Sequence, residues 1–147
     1  MEVKLEKLKA KEARWAAELI AFEFKKEPYK IKWAQDLEKT VREQVTRAPK
    51  LAFKITRNKK NAGIMLCRES LWEPAGKACF IEMLALESKF QGHGIGKKAM
   101  QLLEERLKKE EFAVLTLLSD PKTAAFGFYK SQGFKKSRWE FIEKELK

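Results

Sequence analysis

The chain is poor in the residues that would give it special chemistry. It holds two cysteines, Cys67 and Cys79, and a single histidine, His93. So few ligands, so widely spaced, make no zinc site, and no metal is expected. Both cysteines sit in apolar, strand-like contexts and read as reduced, buried thiols of a cytoplasmic protein. No apolar run approaches the roughly 20 residues of a membrane-spanning helix. The opening Met1-Glu2-Val3-Lys4-Leu5-Glu6 lacks the apolar stretch of a secretory signal. There is no repeat, low-complexity tract or evident linker. The 147 residues therefore read as one domain, 1–147, long enough to bury a core without disulfides or metal.

What is abundant is charge, with a net value of +11. Such a balance favours polyanionic partners, whether nucleic acid, an acidic surface or a phosphorylated cofactor. The basic residues are interleaved with glutamate, as in Lys108-Lys109-Glu110-Glu111. They read as a solvated surface, and no aromatic-rich nucleic-acid motif accompanies them.

Hydrophobic periodicity predicts the elements. Val3 and Leu5 alternate in a first strand near residues 2–8. Ala13, Ala16, Ala17, Ile20 and Phe24 form a helical stripe over 10–25, widened by Trp15, Leu19 and Phe22. Trp33, Leu37, Val41 and Val45 mark a second helix ending before Pro49. A hairpin follows: a strand over 51–56, a polar turn from Arg57 to Gly63, and a strand from Ile64 to Leu71. Ala78–Leu86 is a mostly apolar run suited to a strand covered on both faces. A glycine-rich loop leads to a helix near 94–109, with Ile95, Ala99, Leu102, Leu103 and Leu107 inward. Ala113–Leu118 is another apolar strand. A short helix opens at Asp120-Pro121 and ends near Gln132, with Gly133 as its left-handed cap and Phe134 behind it. Ser137–Leu146 reads as a last strand. The order is β-α-α-β-β-β-α-β-α-β, a mixed α/β layer structure.

The loop Gln91-Gly92-His93-Gly94-Ile95-Gly96 carries the chemistry. It joins a buried strand to the N-terminus of an amphipathic helix. Its glycines permit tight turns and close ligand approach. Several N–H groups can point into one concavity while the helix dipole adds positive charge, which makes an anion site of backbone. Lys97 and Lys98 can add charge. The dinucleotide fingerprint fails because its third glycine would fall on Lys97. The nucleotide P-loop fails at Gln91 and Lys98. The pattern Q/R-x-x-G-x-G/A is met by Gln91, Gly94 and Gly96.

That pattern resembles the acetyl-coenzyme A loop of the GNAT N-acyltransferase superfamily. Ile81-Glu82-Met83-Leu84-Ala85-Leu86 is similar to the family's fourth strand, and Tyr129-Lys130-Ser131-Gln132-Gly133-Phe134 to its late Y-x-x-x-G-F signature. The likeness spans residues 78–146; residues 1–77 agree in element order only. It implies a central, mostly antiparallel sheet of six to seven strands with about four helices. It also implies acetyl-CoA as cosubstrate, held by Met83, Leu84, Ala85 and Leu86, by the loop residues Gln91, Gly92, His93, Gly94, Ile95, Gly96 and Lys97, and by Lys122, Ala125, Phe128 and Tyr129. His93 would contribute its backbone N–H. Lys122 stands where the family often has asparagine, which puts one polar contact in doubt. Gly127 inside the short helix should weaken it by about 1 kcal/mol relative to alanine.

The resemblance further implies transfer of acetyl to an amine in an opening between the fourth and fifth strands. The Leu84 N–H would stabilise the oxyanion, and Tyr129 would protonate the departing thiolate. Glu82 is the ionisable residue of the run from Cys79 to Leu86. Burial there would raise its pKa and suit it to act as base, although pairing with a lysine on the far face is an equal reading. The acceptor, a small molecule or a protein amine, is set by residues 10–77 and is not legible. Homodimerisation stays open. A non-catalytic acyl-CoA sensor or polyanion-binding module on the same fold is the alternative.

Overall fold

The computed structural model describes residues 1–70 and 73–147. Five strands form one sheet in the order β1-β2-β3-β4-β5. They are β1 (Val3–Lys7), β2 (Ala52–Arg57), β3 (Lys60–Ser70), β4 (Ala78–Leu86) and β5 (Val114–Leu117). The first four are antiparallel to their neighbours, and β4 runs parallel to β5. A parallel pair needs a crossover, which α3 (Ile95–Lys109) supplies.

Each sheet face buries its own cluster. On one, α3 seats Ile95, Ala99, Met100, Leu103 and Leu107 against Phe53, Ile55, Met65, Cys67, Cys79 and Ile81. On the other, α1 (Ala13–Lys25) and α2 (Leu37–Arg47) bury Ala16, Leu19, Ile20, Val41 and Val45 against Ala52, Ile64, Leu66 and Ala85. The apolar run of β4 thus serves both faces, as expected. Cys67 and Cys79 are both buried, and the hydrogen bond between them, together with burial, pushes the Cys67 thiol well up.

Several boundaries differ from the sequence reading. The second helix starts at Leu37, because Asp36 caps it by accepting the Lys39 N–H at 3.1 Å. Trp33 lies before it. Phe22 is 60% exposed and carries Lys26 over its ring at 4.2 Å, so it does not widen the buried stripe. The hairpin turn contracts to Asn58 and Lys59, both at positive φ, and Gly63 lies within β3. The end of that strand at Leu71 falls outside the described residues.

The largest difference is at the C-terminus. Ser137–Leu146 forms no strand, and Trp139, Phe141, Ile142 and Leu146 are exposed. The sheet therefore has five strands, where six to seven were expected. Alternation marks a segment able to pair; it does not supply the edge to pair with. The helix before it, α4 (Ala124–Ser131), ends as predicted. Gly133 has φ 94°, its N–H reaches the Lys130 carbonyl at 3.0 Å, and the Phe134 N–H reaches that of Tyr129 at 3.1 Å.

Two irregularities shape the end of β4. Leu66 faces Met83 while Cys67 faces Ile81, so Glu82 is an extra, bulged residue. Gly63 faces Leu86, and a Cβ there would meet the Ala85 carbonyl oxygen and come within 3.0 Å of the Leu86 Cα. Both are backbone atoms, which cannot rotate away. Gly63→Ala is expected to cost about 1–3 kcal/mol through overpacking, read as a lower urea midpoint at unchanged slope. A midpoint equal to the wild type would show that β4 can shift freely at this end.

Candidate active site

β4 is paired to β3 as far as Leu86, but to β5 only from Ala78↔Val114 to Ile81↔Leu117. Beyond Ile81 its outer edge has no strand partner among the described residues. A bulge tightens local twist, and Glu82 sits where the two strands part. Backbone groups of Met83–Leu86 that point to that edge have no strand partner there, and the Leu86 carbonyl accepts the Gln91 side-chain amide at 2.9 Å.

The glycine loop lies at the end of this edge. Gly92 and Gly94 have φ of 77° and 78°, and nothing stands within 4 Å of where a Cβ on either would project. Gly94 caps α3 in the left-handed conformation. The first helical hydrogen bond runs from the Lys98 N–H to the Gly94 carbonyl at 3.1 Å. The N–H groups of Ile95, Gly96 and Lys97 stand ahead of that ladder. Open space, left-handed glycines and a helix N-terminus together fit a pyrophosphate. Lys97, Lys98 and His93 are exposed around it.

Gly96 joins loop, strand and α4. A Cβ there would lie 3.5 Å from the Phe128 ring and 3.7 Å from the Leu86 side chain. Tyr129 follows on α4, edge-to-face with Phe128 at 5.4 Å and with Phe134 at 5.6 Å. Leu84, Leu86, Leu117, Phe128 and Tyr129 are all partly buried against the α3-side cluster. Ala125 is half-buried on α4, and Lys122 is exposed, its N–H donating to Asp120 Oδ1 at 2.9 Å. Gly127 has open space where a Cβ would stand, so close packing within the chain does not require it.

Glu82 is placed differently from its neighbours. Its side chain is 37% exposed and pairs with Arg68, which also lies over the Phe80 ring at 4.9 Å. The burial expected for this residue is therefore missing. The partner is Arg68 of β3, where a lysine had been considered. Arg68 shares the parity of Ile64 and Leu66, which belong to the α1–α2 side. Glu82 and Tyr129 thus approach the strand opening from opposite faces of the sheet.

Tyr129 is the perturbed group. Burial pushes its phenol up to about 12, and Tyr29 adds to the effect. Tyr29 lies in the α1–α2 connection, against Phe24 at 4.8 Å. Sequence reasoning passed over it, although it is one of only two tyrosines. Glu23 was considered, with Glu27 and Asp36, only as an acidic residue at the acceptor mouth, whereas its partners are Ser88 and Gln91. Ser88 and Arg68 escaped notice, since nothing in their spacing distinguishes them from surface polar residues.

A sheet whose fourth and fifth strands part beside a glycine-lined helix N-terminus, with aromatic residues of a following helix against both, is the layout of an acyl-CoA N-acyltransferase. The family model described as "Acetyltransferase (GNAT) family" matches residues 13–134, most of the chain, and the chain belongs to that family. It is 27% identical over 92 residues to N-alpha-acetyltransferase 30 of Saccharomyces cerevisiae, a match over 58% of this chain and 52% of that protein. The chain thus spans about half the length of the curated relative it matches. Among solved structures, it superposes on the NatC complex bound to Gag peptide and CoA with a TM-score of 0.73, 21% identity, and coverage of 94% of this chain and 87% of the other. A predicted acetyltransferase from Clostridium acetobutylicum with acetyl-CoA gives 0.76, 16% identity, and coverage of 99% and 97%. Identities this low speak for the fold alone. Among the described residues, no helix is long and apolar enough to cross a membrane.

The Tyr129 environment has a pH signature. An unfolded phenol ionises near pH 10, roughly, and this one near about 12. The unfolded chain therefore ionises first, and stability held in full below about pH 10 is lost as pH rises through about 12. Urea denaturation across that window should show a shallower alkaline decline in Tyr129→Phe than in the wild type. Parallel curves would mean that the phenol is solvated.

Proposed function

We propose that the chain is an N-acetyltransferase that moves acetyl from acetyl-CoA to a primary amine. The observation that carries this reading is the unpaired outer edge of β4 leading into the open glycine nest at the start of α3. Backbone around Met83–Leu86 would hold the pantetheine arm, and the amides of 92–97 the pyrophosphate. Acetyl-CoA supplies an activated thioester. The Leu84 N–H would face the oxyanion that forms as the amine attacks.

Tyr129 is the proposed acid. A phenol kept protonated far above neutral pH can give its proton to the departing thiolate. Glu82 is retained as the candidate base. It lacks the desolvation that would suit it to that task, so water leading past it to solvent is an equal carrier of the amine's proton. Similarity to N-alpha-acetyltransferase 30 and to a complex solved with a peptide favours a protein amine over a small molecule as acceptor. A sensor that binds acyl-CoA without turnover is the reading to exclude, and coenzyme release with a panel of peptides and small amines decides it.

Gly94→Asp would put a Cβ and a carboxylate into the anion nest at a position where φ is 78°. Calorimetry should show acetyl-CoA binding nearly abolished in the folded variant; unchanged affinity would remove the basis of the reading. Tyr129→Phe keeps the ring packing and should lower kcat by about 10- to 10³-fold with little change in cofactor affinity. Full activity in Tyr129→Phe, with impairment only in Tyr129→Ala, would make the residue a packing group.

A further inference from the structure

Outside the groups assigned above, Glu23 is an acidic residue that bonds two side chains of the proposed cofactor loop. It sits near the end of α1, and its side chain is only 10% exposed. Its carboxylate accepts the Ser88 hydroxyl at 2.9 and 3.1 Å and the Gln91 side-chain amide at 2.9 Å. Lys26 stands 3.5 Å from both carboxylate oxygens and also bonds the Ser88 hydroxyl, so the charge is compensated. The Gln91 amide nitrogen donates in addition to the Leu86 carbonyl at 2.9 Å. One amide therefore links the last residue of β4 to α1.

We propose that Glu23 is a positioning residue that holds the β4–α3 connection in its anion-binding shape. The inference rests on the acetyl-CoA reading of the loop. Ser88 begins the short 3-10 turn Ser88–Phe90 and Gln91 follows it, immediately before Gly92. Glycines at positive φ give a loop many alternative conformations, and each fixed bond at its entrance removes some of them. Bonds to a charged acceptor shielded from water are the strong kind. Holding α1 in place does not require them, because Ala13, Ala16, Leu19 and Ile20 already pack that helix into the α1–α2 cluster. Every side-chain partner of Glu23 other than Lys26, the residue just after α1, belongs to the loop. The α1–α2 connection, which carries Tyr29, begins right after this clamp. Glu23 thereby joins the acceptor side of the proposed site to the cofactor side.

The test uses the full chain as wild type, Glu23→Ala, Glu23→Gln, Gln91→Ala and the Glu23→Ala/Gln91→Ala double variant. Calorimetry with acetyl-CoA reads affinity, and amide hydrogen exchange of the free proteins reads loop order. Glu23→Ala should weaken acetyl-CoA binding by about 10-fold, and Glu23→Gln, which keeps an acceptor oxygen, by no more than about threefold. The double variant should be within about twofold of the weaker single one, since both substitutions remove the same link. KM for acetyl-CoA should rise with kcat within about twofold. Exchange should quicken over residues 88–94 and stay unchanged in the middle of α3. Unchanged affinity in Glu23→Ala and Gln91→Ala, with only a lower melting temperature, overturns the role. Should Glu23→Ala fail to fold, Glu23→Gln and Gln91→Ala carry the same comparison. A wild type that binds no acetyl-CoA overturns the functional reading itself; a wild type that binds, beside variants that bind equally well, overturns the role of Glu23 alone.

Discussion

β4 is paired along its whole length to β3 and over only its first four residues to β5. The other features of the proposed site depend on that inequality. A strand with a free edge in the interior of a sheet exposes backbone donors and acceptors, which cost free energy if buried unmet. The arrangement is stable here because the side chains of β4 are covered on both faces, by α3 through Ile81 and by α1–α2 through Ala85. The edge beyond Ile81 lacks a strand partner while most side chains of the strand are covered. The bulge at Glu82 marks the point where the strands diverge.

The helices divide the work around that edge. On one side α3 brings its N-terminus to the end of β4, and α4 adds an aromatic wall through Phe128 and Tyr129. On the other side α1 and the connection after it contribute Glu23 and Tyr29. The chain carries a net charge of +11, which would help attract a phosphorylated ligand to the proposed anion site, where backbone amides would hold it. Electrostatic attraction and fixed binding geometry then come from different parts of the chain.

Much of this was legible beforehand. Three-four spacing in Ala13, Ala16, Ala17 and Ile20 and the continuous run Cys79–Leu86 identified helix and strand, since backbone geometry fixes those periods. Gly133 was placed correctly as a left-handed cap, and Gly94, read only as a turn glycine, adopts the same conformation. The strand expected over Ser137–Leu146 shows the limit of such reading. It holds Trp139, Phe141 and Ile142, yet pairing depends on a partner edge, which no local pattern reports. Glu82 shows the same limit at the site. An apolar neighbourhood in sequence suggested burial, but a bulge rotates the residue out to Arg68.

By itself the sequence determined the type and order of all elements but the last, the left-handed cap at Gly133, and a glycine loop leading into a helix start. These follow from local rules: periodicity, handedness at glycine, and the free N–H groups at a helix start. Only the tertiary structure decided that β5 stops short of the end of β4, that Glu82 is solvated and Tyr129 is not, and that Glu23 reaches Ser88 and Gln91 from α1. Those facts join residues far apart in the chain. Contacts of that kind depend on how whole elements pack, and neighbouring residues carry no record of them.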